Sequence, residues 1–150
     1  MSAPESSHAP RIVVGVDGSP PSVAAFQWAI KQAELTGASV DAVSAWQYPA
    51  SAGAYGWAPD TGLDDVDYDG LTAKGLAEVV RQVSPPATVT VRQVVVEGNP
   101  AQALLEAAAD ADLLVVGNRG HGAFADALLG SVSERCVRHA HCPVLVVHKR

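Results

Sequence analysis

Charge is scarce in this sequence. Only 17% of its 150 residues are Asp, Glu, Lys or Arg, and 10 basic against 16 acidic residues leave a formal net charge of -6. That balance excludes a general nucleic-acid or membrane-surface binder, whose footprint is a surplus of Lys and Arg. No apolar run reaches the roughly 18 residues that a membrane-spanning helix needs. The opening segment, MSAPESSHAP, has neither an apolar stretch nor a basic start, so no secretory signal is expected in it. Residues 1–10 are small, polar and proline-containing, and are expected to form a disordered tail. Cysteine is limited to Cys136 and Cys142. The expected compartment is the cytoplasm, where both thiols stay reduced. Two nucleotide-binding patterns are missing as well: G-x-x-x-x-G-K-[ST] anywhere, and G-x-G-x-x-G after the first strand. Their absence excludes an ordinary P-loop enzyme and a Rossmann dehydrogenase.

What is present is a core. Apolar residues make up 48% of the chain, and 150 residues suffice for one domain without disulfides or metals. Residues 11–150 read as that single domain, with no internal repeat. RIVVGV at 11–16 is a continuous apolar run, the mark of a strand buried on both faces. Ser19 is placed to cap a following helix and Pro20 to occupy its first position. Val23, Phe26, Ile30 and Ala33 repeat at helical spacing, and Gly37 is placed to end the helix. SVDAVSAW at 39–46 is a second strand. A long irregular loop is expected over 47–69, rich in Gly, Pro, aromatic and acidic residues. Leu76, Val79, Val80 and Val83 stripe a second helix, which Ser84-Pro85-Pro86 stops. TVTVRQVVVE at 88–97 is the strongest strand signal. Asn99 and Pro100 start a third helix, DLLVV at 112–116 is a fourth strand, Ser131–Ala140 a fourth helix, and CPVLVVH at 142–148 the last strand. The alternation implies an α/β fold: a doubly wound five-stranded parallel sheet with helices on both faces and right-handed crossovers. Ligands of such sheets bind beyond the carboxyl ends of the strands. That selects the loops after Val16, Trp46, Glu97 and Val116.

The segment GNRGHGAFADALLGSVS at 117–133 carries the functional signal. Gly117, Gly120 and Gly122 let the backbone turn tightly and approach a ligand, and successive amides there can cradle an anion. Gly130-Ser131 opens a helix whose free amides and dipole form a second anion site. Ser131 and Glu134 have capping-box spacing. Arg119 and His121 add polar or cationic side chains. Loop and helix start together suit a polyphosphate.

The spacing Gly117-x2-Gly120-x9-Gly130-Ser131 resembles the nucleotide-binding signature of ATP-binding universal stress proteins. VVGVDGSP, DLLVVGNRGHG and LLGSVSERCVRHAHCPVLVV match the same family's context, so that the resemblance covers residues 11–148. It implies a universal stress protein fold, and adenine nucleotide, ATP with Mg²⁺, as cofactor. It also implies residue roles. Asp17 matches the acid near ribose and phosphate or metal, with Gly15 beside it. Ala45 matches the backbone contact to adenine, and Val116 and Gly117 match the lining of adenine and ribose. Asn118, Arg119, Gly120, His121 and Gly122 match the phosphate loop. Gly130, Ser131, Val132 and Ser133 match the contacts at the helix start. The family commonly dimerises through its last strand, here Val144–His148, which agrees with the liability of an apolar edge strand.

Plainer readings stand beside these. Asp17-Gly18 also fits a simple turn, the glycines at 117–122 a flexible loop, and Ser131 a helix cap. His139, His141 and Cys142 lack zinc spacing and a fourth ligand, and His139 suits a helix end. Cys136 reads as a small buried hydrophobe. Trp46, Tyr48, Tyr55 and Trp57 read as anchors of the loop. Three functions follow: a nucleotide-dependent regulator acting as a dimer on an unknown protein partner; a slow ATPase or autophosphorylating enzyme, with only Asp17 and His121 as candidate bases; or a partner-binding dimer without nucleotide. Phosphate release separates the first two, and nucleotide binding separates both from the third.

Overall fold

The β-branched runs and the helical stripes alternate along the chain as the pattern requires. In the computed structural model, which describes residues 9–48, 66–120 and 129–149, the strands are β1 (Arg11–Gly15), β2 (Ser39–Trp46), β3 (Val91–Glu97), β4 (Leu113–Gly117) and β5 (Val144–Val147). The helices are α1 (Pro20–Thr36), α2 (Tyr68–Val83), α3 (Pro100–Ala107) and α4 (Ser131–His139). All neighbouring strands pair in parallel, in the order β3-β2-β1-β4-β5. Residues 1–8 of the expected tail and most of the loop expected over 47–69 lie outside the described residues.

Side chains alternate along each strand, so each central strand feeds two cores. Val14, Val40, Ala42 and Val115 pack with Phe26, Ala29 and Ile30 of α1 and Leu76 of α2. Val13, Val43, Leu114 and Val116 point the other way, against Leu104 of α3 and Cys136 of α4. Val13, Val14 and Val115 are fully buried. This is the doubly wound five-stranded parallel sheet that the unbroken apolar runs imply.

The helix ends follow local chemistry. The Ser19 hydroxyl accepts from the Ser22 amide, Asp67 accepts from Gly70 and Asn99 from Gln102, capping α1, α2 and α3. Gly37 closes α1 at φ 79, in the left-handed region where glycine is unstrained. Three elements differ from the sequence reading by two residues or more, the others by about one at most. The helix after the loop already begins at Tyr68, because Asp67, from the acidic cluster, supplies the cap. The third strand starts at Val91, not Thr88: after Pro85 and Pro86 the chain makes a turn in which Val89 donates to the Pro86 carbonyl at 3.0 Å. The last strand is shorter than 142–148.

One charge sits inside the sheet. Asp41 in β2 is 4% exposed, and its carboxylate accepts from Arg92 of β3 at 2.8 and 3.2 Å and from Arg11 of β1 at 3.1 Å. Arg11 also donates to the Ala107 carbonyl at 3.0 Å, joining the end of α3 to the sheet. Removing Asp41 would leave the partly buried Arg11 guanidinium without its carboxylate, while the exposed Arg92 turns to water. Asp41→Ala is therefore expected to lower the unfolding free energy by about 1–3 kcal/mol, the cost of hydrogen bonds left unmade at a partly buried group. Arg92→Ala, which removes a mostly exposed partner, should cost far less. Urea denaturation of the two variants checks the order.

Candidate functional site

The strand order reverses at β1. The chain leaves β1 toward β2 and β3, then crosses back to place β4 on the other side of β1. The loops after β1 and β4 diverge there, and a crevice opens at the carboxyl ends of the strands, the usual ligand position in such folds. It holds a cavity of about 380 Å³. Val43 and Val116 of the sheet and Leu104 of α3 form its apolar side, while Ser131, Val132 and Ser133 of α4 form its polar side.

Sequence reasoning placed fourteen residues here. Gly15, Asp17, Ala45, Val116, Gly117, Arg119, Gly120, Gly130, Ser131, Val132 and Ser133 all line the cavity. Asn118 is buried but does not line it. His121 and Gly122 lie outside the described residues. Sequence reading missed Val16, Ser22, Pro100, Leu104, Val43 and Leu129, which also line it. Two of these were within reach of periodicity: Val43 shares the face of Ala45 by strand alternation, and Leu104 shares the face of Pro100 by helical spacing.

Asp17 is set by its neighbours. Its amide donates to the Ser22 hydroxyl at 3.2 Å, and its Oδ1 accepts from the Ser19 amide at 2.9 Å and the Ser19 hydroxyl at 2.5 Å. One carboxylate oxygen thus belongs to the turn. Its other oxygen faces the second loop, since a Cβ on Gly120 would come within 2.6 Å of Oδ2. Asp17 therefore bridges the two loops of the crevice.

The glycines of the motif serve different ends. A Cβ at Gly117 would lie 2.7 Å from the backbone carbonyl carbon of Pro21, in the first turn of α1. Backbone cannot swing aside, so this glycine permits packing of β4 on α1. A Cβ at Gly130 would come within 3.3 Å of the Arg119 Cα, so this glycine lets the loop close on its own root. Asn118 ties that root: its amide donates to the Val147 carbonyl at 2.8 Å, and its carbonyl accepts from the Gly130 amide at 2.7 Å and the Ser133 hydroxyl at 3.0 Å.

The start of α4 differs from the capping box expected of Ser131 and Glu134. Gly130 is the cap residue and Ser131 the first helical one, so no side chain caps the helix. The Glu134 amide instead bonds the Gly130 carbonyl at 2.9 Å. The amides of Ser131, Val132 and Ser133 belong to the turn that a cap would serve, and these three residues line the cavity. Helices α1, α2 and α3 are capped by side chains, and α4 is not.

Other sequence candidates resolve as structure. Cys136 is completely buried, and desolvation pushes its thiol pKa up to about 11. Burial also raises that of Cys142. Among the described residues no cluster of three His, Cys, Asp or Glu side chains is placed to hold a metal. His139 is the last residue of α4. Trp46 stacks on Tyr68 at 5.6 Å, Tyr48 meets both rings edge-on, and the Trp46 indole donates to Asp69 at 3.0 Å. These contacts join the chain entering the loop to the chain leaving it. Tyr55 and Trp57 lie outside the described residues.

The family model for the universal stress protein family matches residues 9–148. The chain belongs to that family. As a universal stress protein, it is 36% identical over 145 residues to a universal stress protein of Mycobacterium tuberculosis, an alignment covering 91% of this chain and 47% of the relative. The chain spans about half the length of the curated relatives it matches. Among solved structures, a universal stress protein from Lactobacillus plantarum superposes with a TM-score of 0.75 at 24% identity, covering 93% of this chain and 98% of that one. A universal stress protein in complex with cAMP superposes with a TM-score of 0.63 at 28% identity, covering 95% and 98%. No helix of the described residues is long and apolar enough to cross a membrane.

Two outcomes follow for this universal stress protein. Gly117→Ala should cost about 1–3 kcal/mol of stability, as an overpacked position does, whereas Gly120→Ala, which meets only the end of the Asp17 side chain, should cost much less; thermal unfolding of both variants distinguishes them. Cys136 should resist a thiol reagent such as DTNB at pH 8 in the native protein and react once urea unfolds it, because its thiol stays protonated well above that pH.

Proposed function

We propose that this universal stress protein binds an adenine nucleotide, ATP with Mg²⁺, in the cavity at the carboxyl ends of β1 and β4, and acts as a nucleotide-dependent regulator. The observation that carries the reading is the start of α4. It has no side-chain cap, and its first-turn residues Ser131, Val132 and Ser133 line the cavity together with Gly117 and Gly120. An anion there would accept the N–H groups of this turn and meet the positive end of the helix dipole. The rest of the cavity suits the other parts of a nucleotide. Val43, Leu104 and Val116 give an apolar bed for a base, and Asp17 at the turn after β1 suits the hydroxyls of a sugar. The cAMP complex of a relative 28% identical to this chain supports an adenine nucleotide as the ligand class.

A carboxylate beside phosphates is repulsive unless a cation or a proton intervenes. Since no three-ligand cluster exists among the described residues, Mg²⁺ would be held chiefly by the phosphates, with Asp17 the nearest acid. Its chemistry would be to neutralise the triphosphate. The family to which the chain belongs supports the regulatory reading, with Asp17 on the cavity wall the candidate base for the alternative of catalysis. The second element of the proposal is a homodimer. β5 lies at the edge of the sheet, and Val144, Leu145 and Val146 are each only partly covered. Pairing with the same strand of a second copy would remove that edge. The proposed setting is the cytoplasm.

Calorimetric titration of folded, nucleotide-free protein with ATP and Mg²⁺ tests the reading. Saturable binding is expected, without phosphate release above background. Ser131→Asp is the decisive variant. A carboxylate in the first turn of α4 should leave the helix as stable or raise stability by about 0.3–1 kcal/mol, yet repel the phosphates and weaken ATP by about tenfold or more. Absence of saturable binding in the parent protein would overturn the nucleotide reading, and sustained phosphate release would replace the regulator by a slow ATPase.

A further inference from the structure

A second cavity, of about 360 Å³, lies on the opposite face of the sheet, between the ends of β1 and β2 and helix α2. Its helix wall consists of Leu71, Thr72, Gly75 and Leu76, and its strand wall includes Val16, Asp17 and Ala45. Those last three residues also line the first cavity, so the two spaces meet over the ends of β1 and β2. Gly75 leaves room on the helix side, since a Cβ built there meets nothing within 4 Å.

The two cavities differ in electrostatic character. The first has the uncapped start of α4 and Arg119. The second has no Lys or Arg among its described lining residues, and its one charge is the shared Asp17. Its buried hydroxyl, Ser44, already donates to the Val16 carbonyl at 2.5 Å. None of the described lining residues offsets the cost of desolvating an anion, whereas Val16, Leu71 and Leu76 offer apolar surface to a neutral group. Sheet order fixes which end of a ligand would reach it. β4, which leads into the loop before α4, lies on one side of β1, and Ala45 on β2 lies on the other. A nucleotide with its phosphates at α4 thus points its base end toward Ala45 and the second cavity.

We propose that the two cavities form one extended site, suited to a nucleotide whose base carries a neutral, largely apolar substituent. The phosphates lie at the start of α4, the base beside Ala45, and the substituent passes Ala45 and Asp17 to lie against Leu71, Thr72 and Gly75. This inference rests on the nucleotide reading of the first cavity and adds the substrate class.

The test compares ATP with N6-benzyl-ATP, by calorimetry, on the parent protein and on Gly75→Phe. The variant should fold, because glycine inside a helix is unfavourable and the Cβ position is open. Thr72→Leu, on the same wall, serves as a second variant. The substituted nucleotide is expected to bind the parent about tenfold tighter than ATP, the gain for burying roughly two methylene equivalents. Gly75→Phe is expected to abolish that advantage and leave ATP affinity unchanged. Equal affinity of the two nucleotides for the parent would overturn the extended site while leaving the first cavity intact, and so would a Gly75→Phe variant that weakens both alike. Failure of the parent to bind either nucleotide would instead bring down the nucleotide reading, and the extended site with it.

Discussion

Burial of the strands on both faces is the constraint from which the molecule's polarity derives. β1 runs parallel to both its neighbours and lies between two apolar layers. The chain must cross over through a helix, and every crossover runs the same way. All strands therefore end, and all helices begin, at one edge of the sheet. Unpaired amides and positive dipole ends collect there without any cationic side chain being needed. A protein with few basic residues can in this way hold a pole of positive potential.

That pole is focused at the crevice because three of the four helix starts are closed by their own side chains. Ser19, Asp67 and Asn99 spend the available amides locally. At α4 the cap is glycine, and the adjoining backbone is drawn in tightly: Asn118 bonds Val147 on one side and Gly130 on the other. The described ends of the segment between Asn118 and Gly130 are thus pinned together at the cavity, which Arg119, Gly120, Leu129 and Gly130 line. Asp17, held by Ser19 and pressed toward Gly120, supplies the opposing charge. The site is an electrostatic gradient built almost wholly from main chain.

Much of this was legible in the sequence. Unbroken runs such as RIVVGV and DLLVV can only be strands covered on both sides, and the Ser-Pro and Asn-Pro pairs announce helix starts through the chemistry of the cap and of proline. The motif glycines pointed to the right end of the sheet. Their individual meanings were less accessible. Gly117 answers to the Pro21 backbone and Gly130 to Arg119, contacts between segments about a hundred and eleven residues apart respectively, and no local pattern encodes them. Ser131 and Glu134 illustrate the converse: correct spacing for a capping box, annulled because Gly130 takes the cap position one residue earlier. Thr88–Thr90 has strand propensity, and the turn imposed after two prolines overrides it. Ser22 reaches the cavity through tertiary packing alone.

The glycine at position 130 has one further implication. A helix start without an internal cap is incomplete in the same sense as a lock-free hinge: something from solution can finish it. Whatever anion settles on those amides does for α4 what Ser19 does for α1, and its binding energy enters the folding equilibrium of the whole chain. At a concentration a hundred times its dissociation constant such a solute adds about 2.7 kcal/mol to the stability of the folded state. The folding equilibrium of the chain would then report how much of the proposed anion surrounds it.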